Sequence, residues 1–171
     1  MTTLTLADWQ RRAADLAIEG RAFIDGAYVA ARSGATFDCI NPANGQLLAK
    51  VASCDAADAE LAVQAARRAF EARTWAGQSP KQRKLVMQRF AALMRDHLEE
   101  LALLESLDMG KPIGDAMSYD APASANCIAW NGEAIDKIYD QVAPVEESAL
   151  ALVTREPLGI VTAIVPWNFP L

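Results

Sequence analysis

Ile160-Val161-Thr162-Ala163-Ile164-Val165 runs directly into Pro166-Trp167-Asn168-Phe169-Pro170-Leu171. The first six residues are apolar or β-branched without interruption. Such a run suits a strand covered on both faces, the condition of a parallel sheet. A parallel strand needs partners reached by crossover connections. None follows Leu171. Domain ends usually fall in polar, exposed segments, and this one is apolar. The spacing therefore predicts α/β architecture and the front part of a larger protein, cut just after its first sheet strand. Just before it, Glu156-Pro157-Leu158-Gly159 breaks the chain, and Ala149 to Arg155 reads as a strand.

Working back toward the N-terminus, the elements are small and alternate in kind. Residues 1–20 read as an amphipathic helix, with Leu6, Trp9, Ala13, Leu16 and Ala17 at helical spacing and Gly20 as its stop. Asp25-Gly26 suits a two-residue hairpin, because both positions need positive φ. Asn44-Gly45 turns a second pair, Phe37–Ile40 with Gln46–Val51. These strands predict a small antiparallel layer. Asp55 caps a helix to about residue 72, with Leu61, Ala65, Ala69 and Phe70 on its apolar face. Ser79-Pro80-Lys81-Gln82 is a capping box with proline at the first helical position. It precedes a stripe of Val86, Phe90, Leu93 and Met94. Asp96 with Glu99 reads as a second cap, for a helix running to Gly110. Pro112 opens another helix, and Pro122 kinks or restarts it. Cys127, Ile128, Ile135 and Ile138 would form its inner face.

Composition narrows the function classes. The chain has 171 residues, 52% hydrophobic and 22% charged, which is globular rather than disordered. A domain this long buries roughly 70% of its unfolded surface and needs no disulfide staples. The net charge of −6 leaves no electrostatic footprint for nucleic acid and disfavours an anionic membrane. No apolar run approaches the ~20 residues of a membrane helix. The N-terminus carries Asp8, Arg11, Arg12 and Asp15, which is not a secretory signal. Three cysteines, Cys39, Cys54 and Cys127, without a C-x-x-C pair, read as reduced cytoplasmic thiols used for packing. One histidine, His97, read as a surface helix residue, leaves neither a His-based triad nor a zinc site.

The Pro166–Leu171 stretch after Glu156-Pro157-Leu158-Gly159-Ile160-Val161 resembles the aldehyde dehydrogenase superfamily. Phe23-Ile24-Asp25-Gly26, Asn41-Pro42-Ala43-Asn44-Gly45 and Leu107-Asp108-Met109-Gly110-Lys111-Pro112 resemble it in the same order. The resemblance covers nearly all of the chain from about residue 20. The stretch from Glu133 to Tyr139 and on through Arg155 is most similar to the branch that oxidises ω-amino and γ-glutamylamino aldehydes, as in putrescine catabolism.

The resemblance implies a fold and a reaction. Residues 1–140 would be the N-terminal part of the cofactor-binding domain, 141–156 an oligomerisation arm, and 157–171 the first strand of the dinucleotide-binding sheet, cut short. The family's cysteine thiolate attacks the aldehyde, hydride passes to NAD or NADP, and a glutamate activates water to release the acid. Asn168 matches the family's amide donor to the oxyanion. Ile164, Val165, Pro166 and Trp167, with Asn168, match residues along the nicotinamide and its ribose, and Phe169 matches an aromatic of the substrate tunnel. Ala123 and Cys127 would also face that tunnel. Ile40, through its carbonyl, and Asp108 match a structural sodium or potassium site in some relatives. The family's nucleophile and base match no residue here, so the chain alone is expected to be inactive, its complete form being a homo-oligomer. The rival expectation is a non-enzymatic, truncated interaction protein that pairs through its free strand edge.

Overall fold

Local turn and cap chemistry sets the first hairpin and the starts of α1, α2 and α3 in the computed structural model, which describes residues 4–171. Residues 1–3 of the expected first helix lie outside the described residues. Helix α1 spans Leu6–Asp15 and begins with a capping box between Thr5 and Asp8. It is shorter than the apolar spacing predicts. Leu16 already has extended backbone (φ −73, ψ 122), and the chain then runs to Gly20, whose carbonyl accepts from Ala52 N at 2.7 Å.

Strands β1 (Ala22–Ile24) and β2 (Ala27–Val29) form the expected hairpin. Asp25 and Gly26 turn it with φ of 54 and 78, the signature of a type I′ turn. Strands β3 (Thr36–Ile40) and β4 (Leu47–Ala52) pair antiparallel, with an irregularity between Cys39 and Ile40. The two hairpins remain separate two-stranded sheets rather than one layer.

Helix α2 (Ala56–Glu71) starts at Asp55, whose carboxylate accepts from Ala57 N and Asp58 N. Asp58 completes the capping box and is buried, and its carboxylate also accepts from Arg32 N at 2.9 Å. Those backbone donors, Asp55 N first, hold its pKa below the usual carboxylate value. Helix α3 (Pro80–Asp96) opens on the expected Ser79–Gln82 box. Helix α4 (Leu98–Met109) does not use the Asp96–Glu99 cap. His97 is its N-cap residue and makes no side-chain cap bond, because α3 continues to Asp96 and leaves one residue for the junction. Gly110, at φ 80, ends α4.

A short helix α5 (Ile113–Asp115) passes into a π-helical turn (Ala116–Asp120) and then α6 (Ala121–Ala134). The π turn ends two residues before Pro122, which lacks the amide hydrogen an α-helix would use there. The inner face of α6 is Ala121, Ala125 and Gly132; Cys127 and Ile138 are exposed, contrary to expectation. Small residues are needed because α6 packs closely on α3: a Cβ on Gly132 would stand 2.8 Å from Met87 Cβ. Lys84 of α3 closes the seam by ion pairs to Glu133 (2.7 Å) and Asp136 (3.2 Å). These contacts, Glu133 first, push the Lys84 ammonium up to about 12.

Strands β5 (Gln141–Ala143) and β6 (Ala151–Val153) form a third hairpin. Beyond it, Ile160–Val165 forms no strand, contrary to the sequence reading. The described residues offer it no neighbouring strand, so its backbone has no ladder to join.

The core is built of small side chains: Ala91, Ala102, Ala116, Ala121 and Ala125 are fully buried. Phe90, Val86 and Leu93 of α3, with Phe70 of α2, remain 39–50% exposed. The accessible surface is 12371 Å², against about 8,200 Å² expected for a folded chain of this mass. The self-sufficient core expected from length is therefore not reached. Ile164 (93% exposed), Leu158 (98%) and Trp167 (82%) contribute to the excess. Among the described residues, no helix is long and apolar enough to cross a membrane.

Candidate active-site segment

The segment that carries Asn168 is held by a turn. Phe169 N donates to the Pro166 carbonyl at 3.3 Å, which closes Pro166-Trp167-Asn168-Phe169 on itself. Proline fixes φ at the first position. Trp167 stands outward, while Asn168 is half-buried. Ile164 and Val165, directly upstream, present open apolar surface. Of the five residues expected along a cofactor, Ile164 to Trp167 form one continuous exposed stretch, which ends at the half-buried Asn168.

Phe169 turns the other way, onto the helices. Its ring lies over Lys111, with Nζ 4.2 Å from the ring centroid. Leu171 then accepts from Ser124 Oγ at 3.2 Å. Between these contacts opens a cavity of roughly 260 Å³ lined by Glu105, Tyr119, Asp120, Ala123, Ser124, Cys127, Phe169 and Leu171. It brings together Phe169, Ala123 and Cys127, the three residues expected in a substrate tunnel. Asn131 Nδ2 lies 3.5 Å from Cys127 Sγ.

Two of these lining residues, Glu105 and Asp120, belong to a charged cluster with Lys111 that the sequence reading missed. Glu105 and Asp120 are buried, at 4% and 5% exposure. Lys111 Nζ lies 2.7 Å from Asp120 Oδ2 and 3.5 Å from Glu105 Oε1. These are ion-pair contacts without aligned hydrogen bonds. Burial, more than any neighbour, pushes the Glu105 carboxyl up, while contact with Asp120 raises the Lys111 ammonium. The signal was present in the sequence. Glu105 sits in the leucine-rich stretch Leu101-Ala102-Leu103-Leu104-Glu105, where a solvated acid is out of place.

A second cavity, also roughly 260 Å³, shares Glu105 and Leu171 with the first and is otherwise lined mainly by Ile18, Leu48, Val51, Leu101, Leu104 and Leu107, with Pro170 at its border. Cys39 and Asp108 border it, and Cys39 Sγ donates to Asp108 Oδ1 at 3.2 Å. Burial first, then Asp108, pushes the Cys39 thiol up, away from the thiolate a nucleophile needs. One oxygen of Asp108 is thereby engaged by a thiol. Among the described residues, no three His, Cys, Asp or Glu side chains converge as a metal site. Cys54 and Cys127 are exposed rather than packed.

The aldehyde dehydrogenase family profile matches residues 28–171. The aminoacetaldehyde dehydrogenase of Pseudomonas aeruginosa is 50% identical over 98% of this chain and 34% of its own length. The NADP/NAD-dependent aldehyde dehydrogenase PuuC of Escherichia coli K12 is 49% identical over 97% of this chain and 34% of its own. Among solved structures, the P. syringae indole-3-acetaldehyde dehydrogenase with NAD+ superposes with a TM-score of 0.97 at 62% identity, over 99% of this chain and 34% of that one. The γ-glutamyl-γ-aminobutyraldehyde dehydrogenase of Burkholderia cenocepacia does so with a TM-score of 0.96 at 60% identity, over 98% of this chain and 34% of that one. The chain thus spans about a third of the length of these relatives.

Proposed function

We propose a role for a chain that belongs to the aldehyde dehydrogenase family: it supplies the oxyanion donor, part of the nicotinamide wall and part of the substrate cavity for NAD(P)-dependent oxidation of an ω-amino or γ-glutamylamino aldehyde to its acid. The observation that carries the reading is the Pro166–Phe169 turn, which sets Asn168 immediately before a residue of the cavity wall.

Attack on an aldehyde carbon turns its carbonyl oxygen into an oxyanion. An amide N–H stabilises that charge without ionising, provided that it is already oriented. The Asn168 side chain meets the chemical requirement, and the turn limits its motion. The uncovered apolar stretch Ile164–Trp167 fits the flat, apolar side of a nicotinamide ring, and these residues with Asn168 would border it. When bound, NAD or NADP supplies the hydride acceptor.

The cavity supports a cationic substrate. Glu105 and Asp120 set two carboxylates against one ammonium, and Tyr119 and Phe169 add aromatic walls. The β5–β6 hairpin, with Val142, Leu152 and Val153 exposed, supports the reading of residues 141–156 as an arm for a second subunit. Residues 157–171 would enter the dinucleotide-binding sheet once neighbours are present. The three free cysteines are in keeping with a reducing cytoplasm.

The test of the substrate class uses a complete dehydrogenase carrying these 171 residues. 3-Aminopropanal is expected to exceed butanal in kcat/KM by about tenfold, the size of one partly screened charge contact. Equal values, or a preference for indole-3-acetaldehyde over both, overturn the amino-aldehyde assignment.

A further inference from the structure

Among the described residues, no strand pairing reaches the Pro166–Leu171 segment. Its last two residues, Pro170 and Leu171, border the apolar cavity beside α4, and Ser124 Oγ bonds the Leu171 carbonyl. Phe169, next to Asn168, makes a separate attachment, and its partner is an unusual one. Lys111 has a side chain only 14% exposed, although ammonium groups are normally solvated. Its backbone is fixed on both sides: Gly110 caps α4 at φ 80, and Ser106 Oγ donates to the Lys111 carbonyl at 2.7 Å. Its ammonium is fixed by Asp120 and Glu105 and faces the Phe169 ring at 4.2 Å. An ammonium withdrawn from water is attracted to the face of an aromatic ring more strongly than a hydrated one.

We propose that Lys111 is a positioning residue: held by Asp120 and Glu105, it anchors the Phe169 ring from below and so fixes the cavity wall and the adjoining Asn168. The proposal rests on the reading of Phe169 and Asn168 given above. Lys111 itself touches no reacting atom. The two carboxylates keep the ammonium from turning back to solvent, and the ring converts that fixed charge into a fixed backbone position. The same arrangement explains why three charged groups are retained beside a core of alanines, where apolar side chains would pack without desolvating any charge.

The test is a double-mutant cycle on kcat/KM in a complete dehydrogenase carrying these residues. Lys111→Met is expected to lower kcat/KM about tenfold, as for a desolvated cation–π contact. In a Phe169→Leu background the same change should cost less than about twofold, because the ring it acts through is gone. In a Phe169→Tyr background, which keeps an aromatic face, the tenfold sensitivity should persist. A purely structural Lys111 would lower Tm and give the same loss in all three backgrounds; that result overturns the proposal. If Lys111→Met does not fold, a trifluorinated phenylalanine at position 169 keeps the shape and weakens the ring's negative face. A several-fold drop in kcat/KM then supports the proposal, and unchanged kinetics overturn it. The reading beneath it fails separately, when Phe169→Leu and Asn168→Ala both leave kcat/KM at the parent value.

Discussion

Replacing Asn168 by alanine is expected to lower kcat by about 10²–10³ in a complete dehydrogenase that carries this chain, the usual effect of removing one oxyanion donor. Affinity for NAD should change little, because the amide stabilises charge that develops only on the reacting oxygen. Asn168→Asp should be at least as damaging, since an ionised carboxylate has no N–H to donate and places negative charge where negative charge forms. The Pro166–Phe169 turn should survive either change, because its closing bond joins two backbone groups. Steady-state turnover with a pre-steady-state burst checks the assignment. Unaltered kcat, with the chemical step shown to limit the rate, contradicts it.

Gly20→Ala is expected to be the most damaging conservative substitution to the fold. A Cβ at that position would lie 2.1 Å from the Lys50 carbonyl oxygen and 3.0 Å from the Lys50 carbonyl carbon. Both are backbone atoms of β4 and cannot turn aside as a side-chain tip would. Relief requires the strand to move, which breaks the 2.7 Å bond from Ala52 N to the Gly20 carbonyl. Overpacking of this kind costs about 3 kcal/mol, and in a chain of this size that lowers Tm by roughly 6–12 °C. Gly114→Ala serves as the control, because nothing lies within 4 Å of the added methyl; its Tm should stay within about 2 °C of the parent. A Gly20→Ala protein that melts with the control would show that β4 yields more easily than its pairing implies.

Local chemistry was the legible part of this sequence. Asp25-Gly26, Ser79-Pro80-Lys81-Gln82, Asp55 and Gly110 each satisfy or free specific backbone groups over three or four residues, and each does so in the structure. Features that depend on distant partners were not legible in the same way. The apolar run Ile160–Val165 has the composition of a buried strand, but composition supplies no neighbour, and without one no ladder forms. Cys127 was misplaced for a related reason. Apolar spacing pointed to the larger side chains, whereas the close approach of α6 to α3 admits only small ones, so the face that packs is the one bearing Ala125 and Gly132. The Glu105–Lys111–Asp120 cluster depends on the chain path, since residues six and nine apart meet only after the chain has reversed at Gly110 and passed through α5. The Pro-Trp-Asn-Phe stretch was readable through family resemblance, whereas its attachment to Lys111 came only from the fold.

On the proposed reading, these 171 residues hold the oxyanion donor and a cofactor wall, and none of their three cysteines is the nucleophile. The most direct measurement follows reduced-nicotinamide absorbance with the purified 171-residue chain, 3-aminopropanal and NAD. No turnover above a no-protein control is expected. Cys39 is a thiol with a raised pKa, bonded to Asp108 beside the second cavity. Cys54 and Cys127 are exposed thiols, and among the described residues no base is in hydrogen-bond contact with either. Turnover that disappears when Cys39, Cys54 or Cys127 is changed to serine would contradict the claim and identify that residue as the nucleophile.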